Sequence, residues 1–369
     1  MKLAALDNPY DDFYVPTFVV AVGGEDLLRD HMLAVTNVEV ELRLKSPGRF
    51  SVSIGNAYDW EARDFVAGER DTPIDLLKMF AFGAKVKISL GYGEPSALSQ
   101  MIDGLITEVA ASFTEDGNAT LTLAGYDALY PLRLGRQSRH WDDAKLSDAI
   151  SAVAAVNQLN SDVRATGVTL ASIDQNEESD LAFIERMAEL SGSTFYMRDG
   201  QFYFGPRRDD RSPALELAWG QGLTQFSSTA NLANQVTGVK VHGWSAINGA
   251  AIVGSAEPGD EKGRDSGRKS GAEWAVAAFG TGSKIDVAAP VRNQAEADSR
   301  AKAILDAHAQ QFVTGDGECV GVPSLLPDTN LEVSGLGRAF SKTYYVSEAT
   351  HMLDERGYRT RFAVQEPTL

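Results

Sequence analysis

The sequence predicts a mainly β protein with an α+β insert: two similar antiparallel β-barrel domains around a small two-helix module. Three observations carry this. Apolar and polar residues alternate at a period of two in several stretches between Val38 and Leu123, the mark of half-buried strands. Between Asp142 and Gly192 the apolar spacing turns helical. From about Asn234 onward, turn-punctuated β-type sequence returns. The expected division is a first barrel at 1–135, an α/β insert at 136–206, a connector at 207–233 returning to the first barrel, and a second barrel at 234–369 with a mobile surface loop at 255–271.

Each element follows from local pattern. The run from Tyr14 to Gly24 is apolar and partly β-branched. Val38, Val40, Leu42 and Leu44 share one face, Ser46-Pro47-Gly48 turns the chain, and Phe50, Val52 and Ile54 resume the alternation. Val86, Ile88 and Leu90 mark a further strand. Leu105, Thr107, Val109, Ala111 and Phe113 are expected on one face of another, with a turn at Asp116-Gly117-Asn118 before Leu121 and Leu123. Repeated hairpins at this spacing favour a barrel or sandwich.

In the insert, Leu146, Ile150 and Val153 are helically spaced, with Ala149 and Ala154 beside them. A second helix carries Leu181, Ile184, Met187 and Ala188 on its apolar face and Glu185 and Glu189 on the other, and Gly192 suits its end. The hairpin STFYMRDGQFYFG has a two-residue Asp199-Gly200 turn suited to type I′ geometry. That register sets Phe195 against Phe204, Tyr196 against Tyr203 and Met197 against Phe202. Later, Asn293 caps a helix that has Glu296 three residues on. A closing hairpin turns near Arg356-Gly357-Tyr358. The Gly-, Ser- and charge-rich run Ser255–Gly271 offers almost nothing to bury.

Composition narrows the function. The apolar fraction of 43% and charged fraction of 23% fit a globular chain. A net charge of −17 argues against a large basic footprint for nucleic acid or anionic lipid. Cys319 is the sole cysteine, which excludes an internal disulfide and a cysteine-rich metal site. The N-terminal MKLAALDNPYDDF lacks the apolar core of a secretory signal, and no run reaches a membrane span.

Chemical motifs are weak. His31, His140, His242, His308 and His351 show no metal-pair spacing. Gly243-Trp244-Ser245 begins a nucleophile elbow, but Ile247 stands where its last glycine belongs. Gly280-Thr281-Gly282-Ser283-Lys284 lacks phosphate-loop spacing, and Gly335-Leu336-Gly337 lacks a third glycine. Asn118-Ala119-Thr120 is a sequon without a secretion signal. The sharpest candidate is the acid cluster Asp174, Glu177, Glu178, Asp180 and Glu185. Its simplest reading is a helix start, capped by Asn176 or Ser179 and favoured by the helix dipole, followed by a solvated helix face. No catalytic, cofactor or metal residue is expected.

The same stretch strongly resembles the tail-hub family of contractile injection machines. That family includes bacteriophage late-control D proteins, the T-even baseplate hub and the N-terminal part of type VI secretion VgrG proteins. The resemblance rests on Gln175, Glu178, Ser179, Asp180, Phe183, Ala188, Gly192 and the aromatic hairpin with Asp199 and Gly200 at its tip. VKISLGYG, IDGLITEV with Gly104 and LTLAGYDAL with Asp127 are similar to the family's first barrel, and His351 falls at its usual histidine. Lys145 stands where the family often has a capping threonine, so Asp143 is the expected cap there.

The resemblance implies a structural baseplate hub: a homotrimer with pseudo-sixfold symmetry that joins a hexameric tail tube to a trimeric spike and lines the channel. The chain ends after the second barrel, so the spike is expected as a separate polypeptide. The implied partners are other copies of itself, the tail tube protein, the spike protein and other baseplate proteins, with no cofactor, no membrane binding and no sequence-specific nucleic acid binding. The implied location is a virion or injection-particle baseplate assembled in the host bacterial cytoplasm. The acidic charge, trebled in the ring, is expected to keep DNA or cargo from adhering to the lumen. The alternatives are a hub-associated glycan hydrolase using carboxylates and a β-rich receptor-binding module.

Overall fold

Alternation becomes pairing from the first strands of the computed structural model, which describes residues 15–67, 73–115, 119–245, 249–280 and 284–369. The N-terminal stretch through Tyr14, the Asp116-Gly117-Asn118 turn, the sequon's Asn118, Ile247 and Thr281–Ser283 lie outside the described residues. Strands take 51% of the chain and helices 18%, so the class is mainly β.

The first β unit comprises β1 (Pro16–Val22), β2 (Glu25–Asp26), β3 (Ala34–Arg43), β4 (Arg49–Gly55), β5 (Tyr58–Asp59), β6 (Asp64–Ala67), β7 (Ile74–Asp75), α1 (Leu76–Met79), β8 (Lys85–Tyr92), β9 (Ser99–Phe113) and β10 (Ala119–Asp127). Its main sheet runs β1-β8-β9-β10-β4-β3, antiparallel throughout. Val38, Val40, Leu42, Phe50, Val52, Ile54, Val86, Ile88 and Leu90 are buried, as their alternation requires.

β9 departs from the expected phase. Ile102, Gly104 and Ile106 point inward in place of Leu105 and Thr107. The register steps from Ile106↔Gly125 to Glu108↔Ala124, leaving Thr107 as a bulge. One extra residue shifts the phase of everything beyond it, so Val109 then packs on the core.

The insert comprises β11 (Gln137–Lys145), α2 (Leu146–Val156), β12 (Ser161–Val163), β13 (Thr169–Glu178), α3 (Asp180–Ser191), β14 (Ser193–Arg198) and β15 (Gln201–Pro206). β11 and β13 form a ribbon, and the order β12-β15-β14 a second small sheet. The expected apolar faces of α2 and α3 are buried against Phe195, Phe202 and Phe204. The aromatic hairpin has the expected register, with Asp199 and Gly200 at φ 51° and 72°. One local expectation fails, and of the two caps expected for α3 the structure has Ser179. β11 runs directly into α2, so Asp143 does not cap it; Asp148 Oδ2 accepts from Lys145 N at 3.0 Å. Asp174–Glu178 is strand, and α3 starts only after Ser179, whose Oγ accepts from Ala182 N at 3.2 Å.

The rest comprises β16 (Leu215–Trp219), β17 (Gly222–Ala230), β18 (Gly238–Ser245), β19 (Ala250–Ala256), α4 (Gly271–Phe279), β20 (Lys284–Ala288), α5 (Gln294–Ala309), β21 (Val313–Val320), β22 (Thr329–Ser334), α6 (Gly337–Phe340), β23 (Lys342–Asp354) and β24 (Gly357–Glu366). β16-β22-β23-β24-β21-β17 closes into a six-stranded barrel through β16–β17. The 207–233 segment therefore supplies two strands to the second barrel and does not return to the first. Residues 238–309 form a separate layer, β19-β18-β20 backed by α5, between β17 and β21.

The 255–271 segment is a packed strap, not a loose loop. Its backbone and side chains find partners far away in sequence. Lys262 N donates to Asp306 Oδ1 at 2.8 Å, Arg211 Nη1 to the Gly263 carbonyl at 2.5 Å, and Arg268 to the carbonyls of Arg338, Ala339 and Ser341. Ser270 Oγ bonds the buried Glu261 Oε1 at 2.6 Å and caps α4.

The two β units repeat one plan. Match β1, β3, β4, β8, β9 and β10 in chain order with β16, β17, β21, β22, β23 and β24, and the spatial orders coincide. The one difference in direction is β16, which is parallel to both its neighbours. The units fuse where β23, beyond the end of β22, pairs antiparallel with β3 from Glu348↔Arg43 to Leu353↔Val38.

Gly104 lies where β9 crosses β10. A Cβ there would stand 2.5 Å from the Tyr126 carbonyl oxygen and 3.1 Å from Phe50. Gly104→Ala is expected to destabilise the fold by about 1–3 kcal/mol, as overpacking does, measured as a lower urea midpoint.

Candidate functional site

The signature residues converge on one buried carboxylate. Asp180, 6% exposed at the start of α3, accepts from Arg139 Nη1 at 2.5 Å, Gln175 Nε2 at 2.8 Å and Asn157 Nδ2 at 2.7 Å. Arg139 comes from β11, Gln175 from β13 and Asn157 from the end of α2. One side chain thus ties four elements together. Gln175, fully buried, also accepts from Arg139 Nη1 at 2.8 Å. Burial by itself would raise the Asp180 pKa, but the three donors outweigh it and hold the carboxyl below its ordinary range. Asp180 opens α3 as expected, and its burial is what the sequence did not reveal: its donors lie on strands and helices that only folding brings near.

The other acids surround this centre. Glu178 pairs with Arg186, whose Nη2 also donates to the Asp174 carbonyl at 2.6 Å. Asp174 Oδ1 lies 2.6 Å from His140 Nδ1, and Asp142 Oδ1 lies 2.8 Å from Nε2. Hydrogen bonds to these two carboxylates raise the His140 pKa. With both ring nitrogens engaged, His140 offers no free lone pair for base catalysis. A glycan hydrolase needs one carboxyl kept protonated opposite a second. Asp180 is pushed the wrong way for that. Glu185 is raised by burial, but it faces outward on α3 with Glu189 one turn on. Among the described residues, no cluster of three or more His, Cys, Asp or Glu is placed to hold a metal.

The remaining signature residues do not join this cluster. Phe183 is fully buried and stacks on Trp141 at 5.3 Å. Gly192 ends α3 at φ 62°, where a Cβ would lie 3.2 Å from the Cβ of Ala303 on α5. Asp199 and Gly200 tip the hairpin, beside Arg198, which donates to the Pro327 carbonyl. Gly104 and Asp127 belong to the first β unit. Asp127 accepts from Gly48 N at 2.7 Å and Leu129 N at 2.9 Å, fixing the β3–β4 turn. Burial pushes its carboxyl up to about 7 against these two bonds. His351 is fully buried at the β3–β23 seam, with Nδ1 2.8 Å from the Tyr358 hydroxyl, and burial lowers its pKa to about 4.

Sequence reasoning missed Asp328. This buried residue, at φ 58°, accepts from Tyr196 Oη at 3.0 Å, Tyr345 Oη at 2.8 Å and Arg208 N at 3.0 Å, docking the hairpin onto the second barrel. The only local signal was the turn composition of Pro327-Asp328-Thr329-Asn330.

The geometry is that of a braced scaffold, and known proteins agree. The family model described as the Alg8 N-terminal domain matches residues 15–355. The chain belongs to this family. A probable baseplate hub protein of Escherichia phage 186 is 26% identical over 176 residues, covering 46% of this chain and 43% of that protein. The chain thus spans less than half of that relative. The 43 kDa tail protein of prophage MuSo2 from Shewanella oneidensis has TM-score 0.69 at 13% identity, covering 96% of this chain and 99% of its own. An E. coli component of the type VI secretion system, described as structurally similar to the T4 tail proteins gp27 and gp5, has TM-score 0.55 at 11% identity, covering 95% and 77%. At these identities the structures speak to the fold, which is that of phage tail and hub proteins. No helix among the described residues is long and apolar enough to cross a membrane.

Two predictions follow from the carboxylates. Asp180→Ala leaves Arg139 half-buried without its partner and should cost about 3–5 kcal/mol, read by urea titration. Because the Asp180 pKa is lowered, its stabilisation holds above the unfolded carboxyl pKa and fades as pH falls below it. Asp127 has the opposite sign. Its folded pKa of about 7 means the native state binds the extra proton, so its contribution weakens as pH rises from about 4 to 7. Asp127→Asn should be less stable than the parent at pH 5, with a deficit that shrinks by pH 8, measured as paired urea midpoints.

Proposed function

We propose that this chain is the structural hub of a phage tail or phage-like contractile injection baseplate. Three copies close a ring between a hexameric tail tube and a trimeric spike, and line the channel between them. The observation that carries this reading is the repeat of one strand order in two β units of a single chain. Three such chains present six similar walls, which match a sixfold tube on one side while keeping threefold identity on the other. The baseplate hub relative supports the same reading. The place of action is the baseplate of the particle.

The signature residues act as braces in this reading. Asp180, Gln175, Glu178 and Ser179 hold the insert, and Asp328 holds the insert to the second barrel. The protein performs no catalysis.

Light scattering on the purified chain, alone and mixed with its tail tube and spike proteins, is expected to give a trimer that takes up both. A monomer or dimer that takes up neither would refute the reading. Neither the parent nor Glu178→Gln is expected to release muropeptides from purified peptidoglycan. Release by the parent that is lost in Glu178→Gln would favour the hydrolase alternative.

A further inference from the structure

The end of β3, the insert, the 255–271 strap, α5 and the second barrel meet around one cleft of about 620 Å³. Lys45 follows β3, Thr194 lies on β14, Arg207 follows β15 and Gln310 caps the end of α5. All four line the cleft. Backbone pairing sets them around it. Leu44 N donates to the Ser347 carbonyl of β23 at 3.2 Å, and Lys45 N to the Phe195 carbonyl of β14 at 2.8 Å. The Arg207 guanidinium lies over the ring of Tyr345, 4.1 Å from its centre. Tyr345 and Ser347 are two residues apart on β23, about 7 Å along the strand. Arg207 and Lys45 therefore occupy neighbouring stretches of one wall.

The polar groups of this cleft are short of partners. Arg207 Nη1, the hydroxyl of the 3% exposed Thr194 and both polar atoms of the Gln310 amide are buried and make no hydrogen bond among the described residues. Buried polar atoms are nearly always paired, so several unpaired ones on one cleft point to a ligand. The charges repeat the pattern. Among the described residues, neither Lys45 nor Arg207 has a carboxylate within ion-pair distance; the acids act on them only from farther off. Those near Arg207 are committed elsewhere: Asp306 accepts from Lys262 N, Glu366 from Arg211, and Asp328 from Tyr196 and Tyr345. Of the acids on the cleft, Glu348 pairs with Arg43 and Asp306 with Lys262, while Glu189 is exposed on α3. Burial lowers the Arg207 pKa, as happens to a cation that has given up water without gaining a counter-ion.

We propose that this cleft binds a small oxyanion of the phosphate class, free or as the head of a phosphorylated small molecule, held between Lys45 and Arg207. Two charge-assisted contacts of about 2.8 Å with an anion between them fill a gap of this size. Two whole positive charges match a divalent anion. The Thr194 hydroxyl and the Gln310 amide add neutral donors, so the donors arrive from four separate segments. A tetrahedral phosphate offers oxygens in as many directions, whereas a carboxylate offers two in one plane. The bound anion ties the first β unit, the insert, the segment after β15 and α5 together, and it stabilises the folded chain as its concentration rises. The site lies within a single chain and stands or falls apart from the hub reading.

Calorimetric titration of the full chain with inorganic phosphate in chloride buffer is expected to show one saturable site with millimolar or tighter affinity. Glycerol phosphate titrated in parallel separates the two sources: tighter binding than inorganic phosphate identifies a phosphorylated molecule, and equal or weaker binding the free anion. Lys45 is exposed and sits at φ 59°, a conformation that asparagine tolerates. Lys45→Asn thus removes the charge and keeps the fold. It is expected to weaken phosphate binding by about tenfold, the loss of one charged hydrogen bond. Arg207→Gln is expected to abolish it. Lys240→Asn removes the same charge from an exposed position on β18, outside the cleft, and is expected to leave the affinity unchanged. No saturable heat with the parent, equal affinity in the parent and Lys45→Asn, or an equal loss in Lys240→Asn overturns the site.

Discussion

Strand β23 is the constraint on which the molecule depends. Its thirteen residues pair with β22, β24 and β3, so one run of backbone belongs to both β units. Backbone groups buried at such a seam must be paired, and β23 satisfies both neighbours at once. The fully buried His351 lies inside this seam, uncharged at neutral pH because burial disfavours its charged form. The two units are therefore continuous sheet, and neither can rotate against the other without breaking the Glu348–Leu353 pairing.

The polar interior serves the same end. Asp180 gathers Arg139, Gln175 and Asn157, while Asp328 gathers Tyr196, Tyr345 and the Arg208 backbone. Each is an acceptor surrounded by donors, which suits a joint. A reactive group needs unspent valence and access to substrate. Hydrogen bonds to buried charges are strong and directional, so the insert is fixed in position on the second barrel as well as covered by it.

Much of this was legible in sequence because the deciding physics is local. Period-two alternation located β3, β4 and β8, and the Asp199-Gly200 turn set the hairpin register, since loop length and positive φ determine it. What was not legible depended on distant partners. Thr107 gives no local sign of being a bulge. Residues 215–230 are too mixed to reveal that β16 and β17 complete the second barrel. The charges of 255–271 look solvated until Asp306, Glu273 and the 338–341 carbonyls come near. The Gln175–Asp180 run was recognisable as a pattern, but the burial of Asp180 depends on Arg139 and Asn157, which no reading of that run contains.

The seam also sets an order of events in synthesis. Arg43 and Glu348, which face each other across it, are 305 positions apart. As the chain leaves the ribosome, β3 is complete long before its partner β23 exists, and contacts of such sequence separation form late. During that interval β3 presents an open edge. Its outward side chains Glu39, Glu41 and Arg43 are charged, and charge on an open edge discourages premature pairing. The nascent first unit thus carries its own protection until the last strands arrive to replace it.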